Sequence, residues 1–540
     1  MILALNGSPQ AARREKATVD FLNHLAKTES RGGSLDNDAA ALKAMSGRGG
    51  FNAAKSDRFS DDWVPPQTHP SALHRTDSRS MRNRARDLVM NNPLAKGGVD
   101  AYIANVLERG ITPKPKDVDE TRRRLWVSAW NHWSGDYDRE ADITGHQHLY
   151  ELQALWLEEV IVAGGCLLHF VELPRRSGRR LPLALELIPE ERFADDNDDF
   201  IRFQNAKKSG NPIIRGCEVE ASSGRTLNYW IRPQDLTGYD QLLDPKPLPA
   251  ADCQYAFLKK RIGQYRGHSW LHAAVMWLWK LGYFTDNELM ASAVKSSFAA
   301  VITTEDGDDI PTLSDGDDEP SADEYLNPME KLQPAMIARL RPGEGITGVG
   351  PNVPGSDSEA WIVFIERCIG VALGLSYEEL CRDYSKGSFS STRASANADR
   401  KRFRMVQQFA IRHFSSPVWK RFAMSSVRAG TQGFPSPAEF VGNMDEWLDV
   451  AWRAPGWASV NPLDDARAAD INLNNGKTNL EEEAAADGGP DWEDRLEQRS
   501  REQTKTDDLQ LRLTGSKAQM DAEASIQTAH DTAQVAKNGK

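Results

Sequence analysis

Between about Ser80 and Arg428 the apolar residues recur at helical spacing, with one interruption where the period drops to two. Asn92 before Pro93 reads as a helix start, because Asn caps and Pro tolerates the first helical position. That helix carries Leu94, Ile103, Val106 and Leu107 and stops at Gly110. The next, Asp119 to Trp133, sets Trp126, Trp130 and Trp133 on one face, which predicts a tryptophan-lined core surface rather than a ligand box. Thr144 is expected to open a helix through Leu149, Leu152, Leu155 and Val160, closed by Gly164-Gly165. Short strands are then expected at Cys166–Leu173, Leu181–Ile188, Ile213–Glu220 and Leu227–Ile231, followed by a Pro-rich connection over Asp244–Pro249.

The helical period returns at Trp270 and runs to about Ser296, with Leu271, Val275, Leu278 and Leu281 as a stripe. Phe298 to Thr303 is β-rich. A second long helix is expected from Asp357, with Trp361, Ile365, Ile369 and Ala372 on one side. It ends at a Gly374-Leu375-Ser376 break, followed by a short acidic turn and a Ser/Gly/aromatic loop. A helix from Thr392 to Arg428 follows, with nine Lys/Arg against one acid, Asp399, and an apolar set including Phe403, Val406, Phe409 and Phe414. From Leu463 the chain is Ala/Glu/Gln/Asp-rich and helical in propensity, with a tail expected to fray. The first 75 residues or so lack periodic apolar positions and read as a largely disordered arm.

At 540 residues, two to four structural units are expected, and the pattern makes the class α+β. The net charge of −12 disfavours a sequence-reading DNA binder, though not a conduit that must avoid phosphate contacts. The five cysteines are scattered singly, which argues for a reducing compartment and against a disulfide framework or zinc ribbon. Met1–Gly7 has no basic region before its apolar start and does not read as a signal peptide, and the best apolar run is too short to span a bilayer. The expected setting is cytosolic.

No catalytic signature is found. There is no GxSxG, and the histidines are not at HExxH spacing. The glycines of 343–350 lack the Gly-Lys-Ser/Thr ending of a phosphate cradle. The segment 305–324 is rich in carboxylates without lysine or arginine, and Asp308, Asp309, Asp317 and Asp318 could hold Mg²⁺ for nuclease chemistry. Their Gly/Pro/Ser-rich surroundings favour a solvated acidic loop that docks a partner. The cations of the 392–428 helix either cover a surface and pair with acids or, with Lys386 in the loop, face a nucleic-acid path with weak, sequence-independent contact.

Gly374-Leu375-Ser376-Tyr377-Glu378, Asp383-Tyr384-Ser385 and Ser390-Ser391-Thr392-Arg393-Ala394 resemble the lambda-type family of tailed-phage portal proteins. Further blocks are similar to that family in the same order: Arg84-Ala85-Arg86-Asp87-Leu88 with Asn91-Asn92-Pro93, Gly263-Gln264-Tyr265-Arg266-Gly267, and Pro455-Gly456-Trp457 with Asn461-Pro462. Ile262 stands where the family usually has proline, and the leader before Ser80 is longer than usual.

The resemblance implies a subunit of a cyclic ring, usually dodecameric, at the capsid vertex of a virion assembled in the host cytoplasm. Double-stranded DNA would be packaged and ejected through its axis without sequence reading. The partners implied are terminase, major capsid and head-completion or adaptor proteins, with no membrane, cofactor, metal or catalytic residue. The chain then divides into an N-terminal arm (1–79), a wing (80–267), stem helix one (268–297) and a small inserted α/β clip (298–355). Stem helix two (356–375), a tunnel loop with the rest of the wing (376–460) and a C-terminal helical crown (461–540) follow. Tyr384, Ser385, Lys386, Ser388, Phe389 and Arg393 are the expected channel residues, and the four aspartates the expected docking surface of the clip.

Overall fold

The computed structural model describes residues 68–116, 120–174, 178–194, 209–233, 244–297, 301–302, 338–339, 358–385, 387–457, 461–486 and 492–509. The chain divides into residues 1–68, of which only Thr68 is described, and residues 69–540, which hold everything below. The helices of this second unit begin with α1 (Pro70–Asn91), ten residues ahead of the boundary set by the apolar pattern, and α2 (Pro93–Val106). Asn92 caps α2 as expected, its side chain accepting from the Leu94 and Ala95 N–H groups at 3.0 and 3.1 Å. Strand β1 (Thr112–Pro115) leads to α3 (Glu120–Asn131), which runs into a π-turn at His132–Asp136.

The three tryptophans of this segment are all buried, and each indole N–H is satisfied. Trp126 donates to Gly433 O (2.8 Å), Trp130 to the Tyr150 hydroxyl (3.1 Å) and Trp133 to Leu183 O (3.0 Å). Helix α4 is Leu149–Val162, capped by a reciprocal pair in which His148 accepts from the Tyr150 N–H and Glu151 from the His148 N–H. Thr144 therefore does not open this helix. It sits in a loop organised by Asp142, whose carboxylate accepts from the N–H groups of Thr144, His146 and Gln147.

The α+β class holds. β2 (Gly165–Glu172), β3 (Leu183–Pro189) and, further on, β8 (Cys253–Phe257) make an antiparallel sheet in the order β3-β2-β8. The second sheet is β4 (Ile213–Ile214), β5 (Cys217–Val219), β6 (Thr226–Ile231) and β7 (Lys246–Pro249), in sequential order. Strand alternation in β2 serves two cores: Cys166, Leu168 and Phe170 join the helical core, while Leu167 joins a smaller one with Phe193, Cys217, Ile231 and Tyr255. Two expectations change here. The strand expected at 213–220 is a tight hairpin, because Arg215 and Gly216 both take left-handed φ (51° and 78°). The Pro-rich connection is a sheet edge, where Pro247 and Pro249 need no partner for the N–H they lack.

Beyond a short turn at Trp270–Ala273 comes α5 (Val275–Ser297), with Leu271, Val275, Leu278 and Leu281 buried as predicted. Gly164 and Gly267 let the chain enter this helix close under the end of α4: a Cβ on Gly267 would lie 1.9 Å from Gly164 O. Between α5 and α6 (Ser358–Leu373) the described residues are a parallel pair, β9 (Val301–Ile302) and β10 (Ala338–Arg339). On α6, Ile365 and Ile369 are buried, but Trp361 is exposed and stacks on Phe364.

The rest is helical: α7 (Tyr377–Cys381), α8 (Phe389–Ala410), a π-turn at Ile411–Ser415, α9 (Ser416–Ala429), α10 (Pro437–Gly442) and α11 (Met444–Leu448). β11 (Val450–Arg453) then pairs antiparallel with β1, and α12 (Pro462–Asn474), α13 (Leu480–Ala486) and α14 (Trp492–Asp508) end the described chain. The basic helix thus starts at Phe389, not Thr392, and is interrupted by the π-turn before Pro417.

Arg86 of α1 ties α4 to the turn after β3, reaching Glu159 (2.7 Å) and Glu191 (2.7 Å) together. Burial, reinforced by Glu191 and Glu190, pushes the Glu159 carboxyl up to about 7 although Arg86 pulls it down. The folded chain therefore keeps a proton that the unfolded chain has lost, so stability should fall as pH rises from about 4.5 to about 7, by up to ~3 kcal/mol. Urea unfolding at a series of pH values checks this, and Glu159→Gln should flatten the slope in that window.

Candidate functional site

The break after α6 is built from side chains far apart in sequence. Gly374 turns at φ 76°, and a Cβ there would press on the Tyr102 hydroxyl and Arg402 Nε at 3.4 Å. The Tyr102 hydroxyl donates to Leu373 O (2.8 Å) and accepts from Arg402 (3.2 Å), so α2 and α8 together hold the last carbonyl of α6. Ser376 caps α7 by accepting from the Glu379 N–H, and its own N–H donates to Asp399 Oδ1 (3.0 Å) while its hydroxyl donates to Oδ2. Burial raises the Asp399 carboxyl, against the Ser376 hydrogen bonds that lower it. Asp399, the single acid of the basic helix, thereby clamps α7 to α8 and fixes the base of the loop between them.

Arg382, at left-handed φ 53°, starts that loop. Asp383 stiffens its first turn, accepting from the Ser385 N–H (2.9 Å) and the Tyr377 hydroxyl (3.2 Å). Ser388 caps α8 by accepting from the Ser391 N–H (3.2 Å). Of the expected channel residues, Tyr384, Ser385 and Ser388 lie in the loop and are exposed. Phe389 is exposed too but forms the first residue of α8, and Arg393 lies a turn further on, paired with Asp465 of α12 at 2.8 Å. Lys386 lies outside the described residues, as do Asp308, Asp309, Asp317 and Asp318.

The cations of α8 and α9 divide. Arg402 braces Tyr102, Arg404 lies over the Trp457 ring (5.6 Å), Arg421 binds Asp252 (3.3 Å) and Arg428 binds Glu172 (2.6 Å). Lys401, Arg412 and Lys420 are exposed. Surface pairing thus accounts for much of the basic helix, while Tyr102 and Asp399 are the positioning residues that sequence reasoning passed over. The lone acid in a basic helix was the signal for the second.

Among the described residues one group has metal-ligand types close together, His132, Asp138 and Glu140, with ligand atoms within 4.8 Å. The Glu140 carboxylate is already spent on the N–H groups of Arg180 (2.8 Å) and Leu181 (3.3 Å), which makes it a turn lock. All five cysteines are free. Among the described residues no helix is long and apolar enough to cross a membrane.

The described residues form an α+β chain in which the loop after α7 is clamped between helices, with no assembled catalytic group among them. Residues 56–407 match the family model for the phage portal protein, lambda family. The chain is 24% identical over 437 residues to the probable portal protein of Halomonas phage phiHAP-1, covering 78% of this chain and 80% of that protein. It is 22% identical to the portal protein of Escherichia phage N15 (82% and 87% covered) and 22% identical to portal protein B of Escherichia phage lambda (56% and 60% covered). Among solved structures, the neck of an empty gene transfer agent particle computed with C6 symmetry is 13% identical, covering 77% of this chain and 94% of that one, at TM-score 0.36. The neck of the native particle computed with C12 symmetry is 12% identical, covering 79% and 96%, at TM-score 0.34.

The chain belongs to the lambda family of phage portal proteins. Its function is that of a portal at the capsid vertex of the virion, a structural and non-enzymatic component.

Replacing Asp399 by Ala leaves the Ser376 N–H and hydroxyl without their buried acceptor. The expected loss is about 1–3 kcal/mol of stability in urea unfolding, with the α7 amides exchanging faster in deuterium.

Proposed function

We propose that this portal is a closed ring of twelve copies through which double-stranded DNA is packaged and later ejected, assembled in the host cytoplasm. In this reading residues 80–267 and 376–460 form the wing, α5 and α6 the two-helix stem, 298–355 the clip, 382–393 the tunnel loop and 461–540 the crown. The N-terminal arm is 1–79. Terminase, and later head-completion or adaptor proteins, would dock on the acidic segment of the clip that carries Asp308, Asp309, Asp317 and Asp318, and the major capsid protein would surround the ring. Tyr384, Ser385, Lys386, Ser388, Phe389 and Arg393 would line or flank the DNA path, with no base-specific contact.

One observation carries the reading. Helices α5 and α6 each have a second apolar side left largely exposed by the described residues: Met276, Trp279, Tyr283 and Met290 on α5, and Trp361, Phe364 and Val371 on α6. Trp279 stacks on Tyr283 (5.8 Å) and Trp361 on Phe364 (5.5 Å), so the exposed aromatics form two ordered plates. Apolar exposure concentrated on two neighbouring helices marks a protein interface, and contact between unlike faces of successive copies gives a ring when the rotation between copies closes. The exposed Tyr384–Ser385 turn, held at both ends by Asp383 and Ser388, suits a constriction that a moving duplex brushes without being gripped.

Trp279→Glu with Trp361→Glu should abolish rings in negative-stain electron microscopy while circular dichroism stays native, because both side chains are more than half exposed in the single chain. Rings from this variant would remove α5 and α6 from the interface. Deleting 386–390 should leave rings intact and lower DNA retention in a packaging assay; a deletion that prevents ring formation would displace the loop from the channel.

A further inference from the structure

After β11 the chain turns back along α8. Pro455 O accepts from the Gln407 side-chain amide (2.9 Å), and the Trp457 ring stacks on Phe403 (6.3 Å) with the Arg404 guanidinium over it (5.6 Å). Further on, Asp465 of α12 binds Arg393 (2.8 Å). Arg393 and Arg404 stand eleven residues apart in one helix, about three turns, so they share a face of α8 and are separated by about 16 Å. The contacts therefore descend α8 from its second half towards its start, and they end beside the loop. Residues 458–460, between the two attachments, lie outside the described residues.

The attachment at Trp457 also reaches the other end of the loop. Trp457 Nε1 donates to Asn105 Oδ1 (3.1 Å), and the amide nitrogen of Asn105 donates to Glu379 Oε1 of α7 (2.8 Å) and to Ala101 O (2.9 Å). Asn105 follows Tyr102 by one turn on α2, so neighbouring positions of one helix hold the end of α6 and α7. An amide cannot turn to suit one partner without losing another. With its oxygen held by the indole N–H, the Asn105 nitrogen stays directed at the Glu379 carboxylate. Gln407, which also donates to Val106 O (3.3 Å), fixes the same end of α2 against Pro455.

We propose that Asn105, Trp457 and Asp465 are positioning residues of the loop, and that 455–465 is a strap through which α12 sets the loop's two ends. Trp457 acts on α7 through Asn105, and Asp465 acts on the start of α8 through Arg393. The two attachments differ in kind. The first is a partly buried hydrogen-bond chain, whereas the second is an ion pair about 40% exposed, which salt screens. Helix α12 buries no residue of its own, so little apolar contact opposes its displacement. Coupling is reciprocal, so a displaced loop loosens the strap as well. The consequence for DNA rests on reading the loop as the channel constriction; the coupling itself does not.

Hydrogen exchange on the full chain tests the strap with two variants. Trp457→Phe keeps a ring against Phe403 and removes the indole N–H, and Asp465→Asn removes the charge of the outer pair. Trp457→Phe should speed exchange of the α7 amides about three- to tenfold, the equivalent of one hydrogen bond, although Trp457 bonds Asn105 and not α7. Asp465→Asn should speed the Ser391 and Thr392 amides, and that difference should vanish in about 1 M salt while the Trp457→Phe difference persists. Unchanged α7 amides in the first variant, or unchanged Ser391 and Thr392 amides in the second, would overturn the inference. So would faster exchange throughout β2 and β3, which would make the effect a general loss of stability. In the packaging assay the double variant should lower DNA retention, as the loop deletion does. Loosened amides with full retention would count against the DNA-facing loop and leave the strap standing.

Discussion

Helices α5 and α6 carry more apolar surface than the described residues of the chain cover. Their inner sides, Leu278, Leu281, Ile365 and Ile369, are buried in the common core, and their outer sides present the Trp279–Tyr283 and Trp361–Phe364 plates to solvent. Each large apolar side chain taken from full exposure to full burial contributes about 1.5–3 kcal/mol, so covering such faces would be favourable. The rest of the architecture serves that constraint. Arg86 bridging Glu159 and Glu191, and Arg266 buried against Glu190, brace the body from which α5 emerges. The close approach of Gly164 and Gly267 sets where it emerges.

The clamp at the end of α6 works by hydrogen bonding instead of area. Tyr102, Arg402, Ser376 and Asp399 satisfy the end of α6 and the start of α7 from two other helices. A buried polar group left without its partner is costly, so this network holds one geometry where an apolar contact would tolerate several. The loop can then be exposed at its tip and still be fixed at its base, a combination suited to touching a moving polymer.

Much of this was legible in the sequence because it follows from local chemistry. The Asn92-Pro93 cap, the Trp126/Trp130/Trp133 face and the Leu271-to-Leu281 stripe needed only spacing and capping rules. What escaped depended on partners distant in the chain. Thr144 looked like a helix start because Ser/Thr caps are common, yet Asp142 captured the local N–H groups and His148 took the cap. Pro247 and Pro249 hid an edge strand, and Arg215 at positive φ hid a hairpin. Trp361 followed the helical period but faces out, since periodicity reports a stripe and not which side of a two-sided helix the core takes. Arg393, expected beside the DNA path, lies near the start of α8, and its partner Asp465, seventy-two residues away, could not be foreseen from local pattern.

The central claim is that the outer faces of α5 and α6 are the surfaces on which copies of this chain meet. Electron cryo-microscopy of the purified protein tests it most directly, by locating Trp279 and Trp361 in the assembled particle. The account predicts a closed ring with both tryptophans buried between neighbouring copies and the Tyr384–Ser385 turn facing the axis. A closed ring with both tryptophans in solvent and other surfaces in contact would contradict it.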